Sequence, residues 1–185
     1  MARYYKRELP NYSGFDEKRY FCPGTKPCVV EVANVRLGIT ICEDIWHDGP
    51  VEESAAAGAN LIVNLNASPF HMGKASERES QVVSQRARRN ILPIAYVNLV
   101  GGQDELVFDG GSFVSDNKGK VTHRARFFQE QLFRVEFDDR LSPIQGNISK
   151  IPNREESVYQ ALVTGVRDYV QKNGFPGVVV GLSGG

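Results

Sequence analysis

The sequence predicts an α/β fold with a substantial sheet, and three observations carry that expectation. Continuous apolar runs at 61–65 (Leu-Ile-Val-Asn-Leu) and 94–100 (Ile-Ala-Tyr-Val-Asn-Leu-Val) read as strands buried on both faces. Helical patterns at 51–59 and 74–90 separate these runs from one another and from an earlier β-rich stretch. The resulting order of strand, helix, strand, helix, strand is the signature of a layered α/β domain.

The elements follow in order. Residues 29–41 hold two β-rich runs parted by Ala33-Asn34, which reads as a hairpin ending at Cys42. The helix at 51–59 starts after Pro50, carries Glu52 and Glu53 in its first turn, and is closed by Gly58 and Asn60. The strand at 61–65 opens into a loop at 66–73. The polar helix at 74–90 turns Val82, Val83 and Ala87 inward, and Pro93 marks the next boundary. Beyond Gly101-Gly102, runs at 110–116, 121–126 and 132–137 predict antiparallel strands that complete the same domain, 1–140. Residues 141–152, rich in Ser, Pro, Gly and Asn, predict an interdomain linker. Asn153 then caps a helix at 154–172 with Val158, Leu162, Val166, Tyr169 and Val170 on one face. A strand from Gly177 runs straight into a glycine-rich loop at 181–185, so 153–185 is expected to be the start of a second domain.

Composition excludes several classes of function. Formal net charge is +0 with a pI near 6.8, which gives no general attraction to nucleic acid or anionic membrane. The longest apolar runs fall far short of a membrane span, and the N-terminus lacks the apolar stretch of a signal peptide, so a cytoplasmic protein is expected. Three cysteines without a C-x-x-C pair offer no metal or redox motif. Cys22 and Cys28 read as structural thiols. His47, His71 and His123 show no ligand spacing, and no metal is assigned to this domain.

Cys42 is the best candidate for a nucleophile. It ends an apolar strand, enters the acidic, aromatic turn Glu43-Asp44-Ile45-Trp46 and is followed by a helix whose positive end favours a thiolate. A small buried core residue is the competing reading. The Glu43-Asp44 pair reads equally well as acids stabilised near a helix start, and Arg86, Arg88 and Arg89 read as a solvated or subunit-facing surface.

Segment 5–21, with Leu9-Pro10-Asn11-Tyr12 at its centre, and segment 38–46 around Cys42 closely resemble the nitrilase-like carbon–nitrogen hydrolases. Within them they most resemble the glutamine amidotransferase domain of the glutamine-dependent NAD synthetase family. The similarity continues through 66–71 and 104–110, as far as about 137. Gly181-Leu182-Ser183-Gly184-Gly185 resembles the opening of the pyrophosphate loop of ATP pyrophosphatases, although an ordinary strand-to-helix turn would read the same. The resemblance implies a nitrilase-like α-β-β-α sandwich, incomplete at its N-terminus, followed by the first helix and strand of a Rossmann-like adenine nucleotide alpha hydrolase domain.

The family works with a Glu-Lys-Cys triad. By resemblance Cys42 is the nucleophile that attacks the glutamine carboxamide, and Lys6 stabilises the oxyanion. Tyr12, Ser68 and Lys74 match positions that hold glutamine, with Glu43 and Trp46 lining the same pocket. The general-base glutamate lies upstream of the lysine in the family, and none of residues 1–5 is acidic, so a poor or inactive glutaminase is expected from this chain alone. The family implies ammonia delivery to a synthetase domain that uses ATP and Mg²⁺ to amidate deamido-NAD, and a homo-oligomer. Gly181, Leu182, Ser183, Gly184 and Gly185 would touch the ATP. Two alternatives stay open: a stand-alone nitrilase-type amidase using the same cysteine, and a non-catalytic remnant lacking the base.

Overall fold

The computed structural model describes residues 2–12 and 14–184. A short helix, α1 (Glu17–Tyr20), precedes the hairpin of β1 (Cys28–Val32) and β2 (Val35–Ile41). Ala33 and Asn34 both take positive φ, 48° and 68°, the two-residue turn whose twist matches that of the flanking strands. A tight 3₁₀ turn, Cys42–Trp46, leads into α2 (Asp48–Ala56), then β3 (Leu61–Asn66). The helical stretch 74–90 consists of α3 (Lys74–Ser76), a π-helical segment (Glu77–Val83) and α4 (Ser84–Asn90). After it come β4 (Ile94–Asn98), β5 (Val100–Gln103), β6 (Leu106–Asp109), β7 (Phe113–Ser115), β8 (Val121–Arg124) and α5 (Arg154–Lys172).

The main sheet has the order β1-β2-β3-β4-β7-β8. Its centre, β2-β3-β4, is parallel, and both flanks are antiparallel. β5 and β6 form a separate antiparallel hairpin. One face of the sheet packs against α2 and the 74–90 stretch through Ile45, Val51, Ile62, Val82, Val83, Ala87, Ile94, Tyr96 and Phe113. At Gly38 a Cβ would fall within 3.0 Å of Ile62, Ala59 and Ser54, so the absence of a side chain is what lets that layer close on β2. The opposite face is apolar but open: Leu65 is 46% and Val97 45% exposed, and no element among the described residues covers them. Burial of β3 and β4 on both faces, as their composition predicts, is therefore met at Leu61, which is 7% exposed, and lost towards Leu65 and Val97.

Several boundaries differ from those expected. The helix predicted from residue 51 begins at Asp48. The run 94–100 is not one strand, because the chain leaves the sheet after Asn98 and re-pairs from Val100 in the small hairpin. No strand forms at 132–137. Leu132 is fully exposed, and the one pairing nearby is the isolated bridge Phe137–Pro143. The strand expected from Gly177 is likewise absent. Val179 and Leu182 stand in solvent, and a strand needs a neighbour for its amides and carbonyls, which no described residue supplies. Gly185 lies outside the described residues.

Residues 146–149 form an ordered strap along β8. Gly146 and Ser149 donate to the carbonyls of Thr122 and Arg124, and Arg124 donates to Asn147. The helix at 154–172 is present with its Asn153 cap, whose side chain accepts the Glu156 amide. Its buried residues are Ala161 and Thr164, whereas Leu162, Val166 and Tyr169 face solvent. The contact is set by small residues: a Cβ at Gly102 would sit 3.1 Å from the Gly165 Cα. Asp168 accepts the Gly102 amide at 2.7 Å, and Lys172 donates to the Gly102 carbonyl.

Candidate active site

β2 delivers Cys42 to the start of the 3₁₀ turn, with φ of 46°, in the left-handed region that few non-glycine residues adopt. The turn is braced on two sides. Asp44, fully buried, accepts hydrogen bonds from the Ile41 amide (2.8 Å), the Arg7 amide (3.0 Å), the Glu8 amide (2.8 Å) and the Tyr4 hydroxyl (2.7 Å). Arg86 donates to the carbonyls of Ile45, Trp46 and His47 and pairs with Asp48. Arg86 is thus a clamp on the turn, not the solvated or subunit-facing residue expected from its polar helix.

This bracing lays the extended N-terminal segment against the turn and brings Lys6 to Cys42. Both line one cavity of about 380 Å³, together with Tyr5, Phe15, Glu17 and Ala67. Lys6 Nζ lies 2.7 and 2.6 Å from the two carboxylate oxygens of Glu17. Burial pushes the Cys42 thiol above its ordinary value. Lys6 and the Ala67 backbone pull it down, and Glu43 and Glu17 push it further up.

Four of the remaining expected site residues form two pairs outside the lining of this cavity. The Tyr12 hydroxyl donates to Glu43, 2.9 Å from each carboxylate oxygen, and burial with that hydrogen bond raises its pKa to about 12. Both residues line a second cavity of about 670 Å³ with Arg7, Lys18 and His47. Lys74 Nζ sits 5.4 Å from the Trp46 ring centroid, a cation–π arrangement. Burial, followed by Arg78, lowers the Lys74 pKa, while Cys42 and Glu43 act in the opposite sense. Ser68 is buried. Its amide donates to Asn98 Oδ1, and its carbonyl accepts from Arg78 and Asn98. Gly181, Leu182, Ser183 and Gly184 lie apart from all of these, exposed and without strand or helix.

Two groups of residues carry no sequence signal of their role. Glu17, the partner of Lys6, sits in a four-residue helix with no periodicity to mark it. Arg78 and Asp109 form a buried ion pair (2.7 Å) that also anchors the Ser68 and Pro69 carbonyls. The π-helical segment turns adjacent Arg78 and Glu79 inward together with Val82 and Val83, a pattern that regular helical spacing does not announce. Among the described residues no group of His, Cys, Asp or Glu is arranged to hold a metal ion.

Cys42, at a strand end, shares its cavity with Lys6 and Glu17. Residues 1–144 match the carbon–nitrogen hydrolase family. The chain belongs to that family.

Among curated relatives, the glutamine-dependent NAD(+) synthetases of Thermotoga maritima and Aquifex aeolicus are 42% and 45% identical to this carbon–nitrogen hydrolase. Each alignment covers the whole of this chain and 38% of the relative, so the chain spans little more than a third of their length. The structure of glutamine-dependent NAD+ synthetase from Acinetobacter baumannii, in complex with ADP, superposes with a TM-score of 0.91 at 42% identity. It matches 97% of this chain and 34% of its own. A mutant amidase from Nesterenkonia sp. AN1, with an acetamide moiety added covalently at its active-site cysteine, superposes with a TM-score of 0.60 at 28% identity. That match covers 77% of this chain and 47% of the amidase.

Proposed function

We propose that this chain carries the glutamine-hydrolysing half-site of a glutamine-dependent NAD synthetase. The observation that carries this reading is the shared cavity of Cys42 and Lys6, with Glu17 holding the lysine. In the proposed reaction the Cys42 sulfur attacks the carboxamide carbon of glutamine. The carbonyl oxygen becomes an oxyanion beside the Lys6 ammonium, a fixed cation at developing negative charge. Collapse expels ammonia, which needs a proton, and leaves a glutamyl thioester that water hydrolyses.

The flanking pairs suit the rest of the substrate. Lys74 offers a cation to the α-carboxylate, the Trp46 ring supplies an apolar wall, and Glu43 with Tyr12 offers acceptors to the α-ammonium. Ser68, buried next to the cavity-lining Ala67, would complete the substrate contacts.

The weak point is proton transfer. The two acids that bear on Cys42, Glu17 and Glu43, already accept hydrogen bonds from Lys6 and Tyr12. The thiol itself is pushed towards its neutral form. A general base supplied by further chain would make up what these residues lack, commonly worth ~10²–10⁴-fold in rate.

Ammonia would pass to ATP- and Mg²⁺-dependent amidation of deamido-NAD in the remainder of a longer, cytoplasmic and oligomeric protein. Gly181, Leu182, Ser183 and Gly184 would contribute to the ATP site of that longer protein. The stand-alone amidase reading is favoured by no specific observation, and the superposition of nearly the whole chain on the synthetase disfavours it.

Glutaminase assay of this chain and of Cys42→Ala tests the proposal. Ammonia release that is slow and lost in Cys42→Ala supports it, and release that survives Cys42→Ala contradicts it.

A further inference from the structure

Asp44 touches both halves of the Cys42–Lys6 pair without touching either functional atom. Its Oδ1 accepts the amides of Arg7 and Glu8, the two residues that follow Lys6. Its Oδ2 accepts the amide of Ile41, the residue before Cys42, and the Tyr4 hydroxyl. One oxygen therefore grips the lysine's segment while the other grips the entry to the cysteine's turn. The carboxylate is 0% exposed, so these charge-assisted bonds are not exchanged for water. The segment belongs to no sheet. Among the described residues its other ties include the partly exposed side-chain contacts Tyr12–Glu43 and Arg7–Glu53, the Gly24 amide on the Lys6 carbonyl, and Glu17 on the Lys6 ammonium.

We propose that Asp44 is the positioning residue that sets the Lys6 ammonium beside Cys42. The proposal rests on the reading of Cys42 as nucleophile and Lys6 as its cation, and it adds a group that sets the lysine's backbone, where Glu17 holds its ammonium. An asparagine at this position keeps the volume but has one carbonyl oxygen. Its NH₂ must then oppose either the amides of Arg7 and Glu8 or the amide of Ile41, so one half of the grip is lost.

The test is the pH profile of iodoacetamide alkylation at Cys42, read by peptide mass spectrometry so that Cys22 and Cys28 are separated. The charged groups bearing on Cys42 are Lys6, Glu43, Glu17 and Lys74, and the profile reports on their placement. Asp44→Asn is expected to move the thiol titration to higher pH and to slow alkylation at neutral pH by roughly tenfold. Lys6→Met should move it in the same sense, and the double variant should add nothing further, because both changes remove one interaction. Tyr4→Phe leaves both Oδ1 bonds in place and should keep the native profile. Should Asp44→Asn lose its near-ultraviolet circular dichroism, Glu8→Pro carries the test, since it deletes one amide donor and leaves the carboxylate; the same upward displacement is expected. A folded Asp44→Asn or Glu8→Pro variant with the native profile, alongside a displaced Lys6→Met profile, overturns the positioning role alone. Full additivity of Asp44→Asn and Lys6→Met does the same. A native profile in Lys6→Met removes the assignment of Lys6 and the positioning role with it.

Discussion

Glu17 receives Lys6 with both carboxylate oxygens, at 2.7 and 2.6 Å, in the cavity that also holds Cys42. The pair fixes a long, flexible side chain in one place, and it also keeps a negative charge near a sulfur that must become negative. The geometry resolves this conflict by placing the cation so that Lys6 is the largest opposing influence on the thiol, ahead of either carboxylate.

Removing the cation should therefore cost more than removing its holder. Lys6→Met is expected to slow attack on an electrophilic glutamine analogue by roughly 10²–10³-fold, the usual loss when an oxyanion donor is deleted. Glu17→Gln, which keeps one acceptor for Lys6, should cost less. Labelling rates of Cys42 in the two variants decide the order, and a larger loss in Glu17→Gln would mean that Glu17 acts directly on the substrate.

The Cys42 thiol, raised by burial above its ordinary value of 9.0, gives a pH-dependent contribution to stability. The folded state holds the proton more tightly than the unfolded chain. Its contribution is therefore complete below the unfolded thiol pKa and is lost as pH rises through the folded one. Thermal unfolding should thus show a midpoint that falls more steeply above pH 9 in the native protein than in Cys42→Ala. Equal slopes would place the thiol in water.

The buried pair Arg78–Asp109 should be costly to break and cheap to replace. Asp109→Ala leaves a guanidinium buried without its counter-charge, a change that typically costs about 3–5 kcal/mol. The double variant Arg78→Met, Asp109→Leu should recover most of that in chemical denaturation. It should still slow Cys42 labelling by the glutamine analogue, because the Ser68 and Pro69 carbonyls lose their anchor.

Helix α5 is held to the β5–β6 hairpin at the backbone of Gly102. Gly102→Val, which drives a side chain into Gly165, should free the helix and expose it to proteolysis. Alkylation of Cys42 by iodoacetamide should stay within a factor of about two, because the two sites share no contact and distant changes are usually independent. A proteolysis pattern unchanged from the native protein would mean that the contact at Gly102 does not set the docking.

What is legible in the sequence follows from the range of the interactions. Apolar runs and the Ala33-Asn34 turn are local signals, and they locate β1 to β4 and the strand end at Cys42. The strands expected at 132–137 and from Gly177 do not form because pattern alone does not supply a neighbour. Tyr12, Glu43, Trp46 and Lys74 are reached by motif resemblance, and the structure sets them in two contacting pairs. Glu17, Arg78 and Asp44 are illegible as site-builders because each acts across a sequence separation no local pattern encodes: Asp44 reaches back to amides 36 and 37 residues away. The apolar stripe of α5 is plain in the sequence but is not the docking face, because glycine at 102 and 165 makes the close approach elsewhere.

Cys42, assisted by Lys6, is proposed as the group that attacks a glutamine carbonyl. The most direct test exposes the protein to an electrophilic glutamine analogue and locates the adduct by intact mass and peptide mapping. A single adduct on Cys42 is expected, slowed by excess glutamine, absent from Cys42→Ala and strongly retarded in Lys6→Met. Adducts on Cys22 or Cys28 at comparable rates, or a Cys42 adduct indifferent to both glutamine and Lys6→Met, would contradict it.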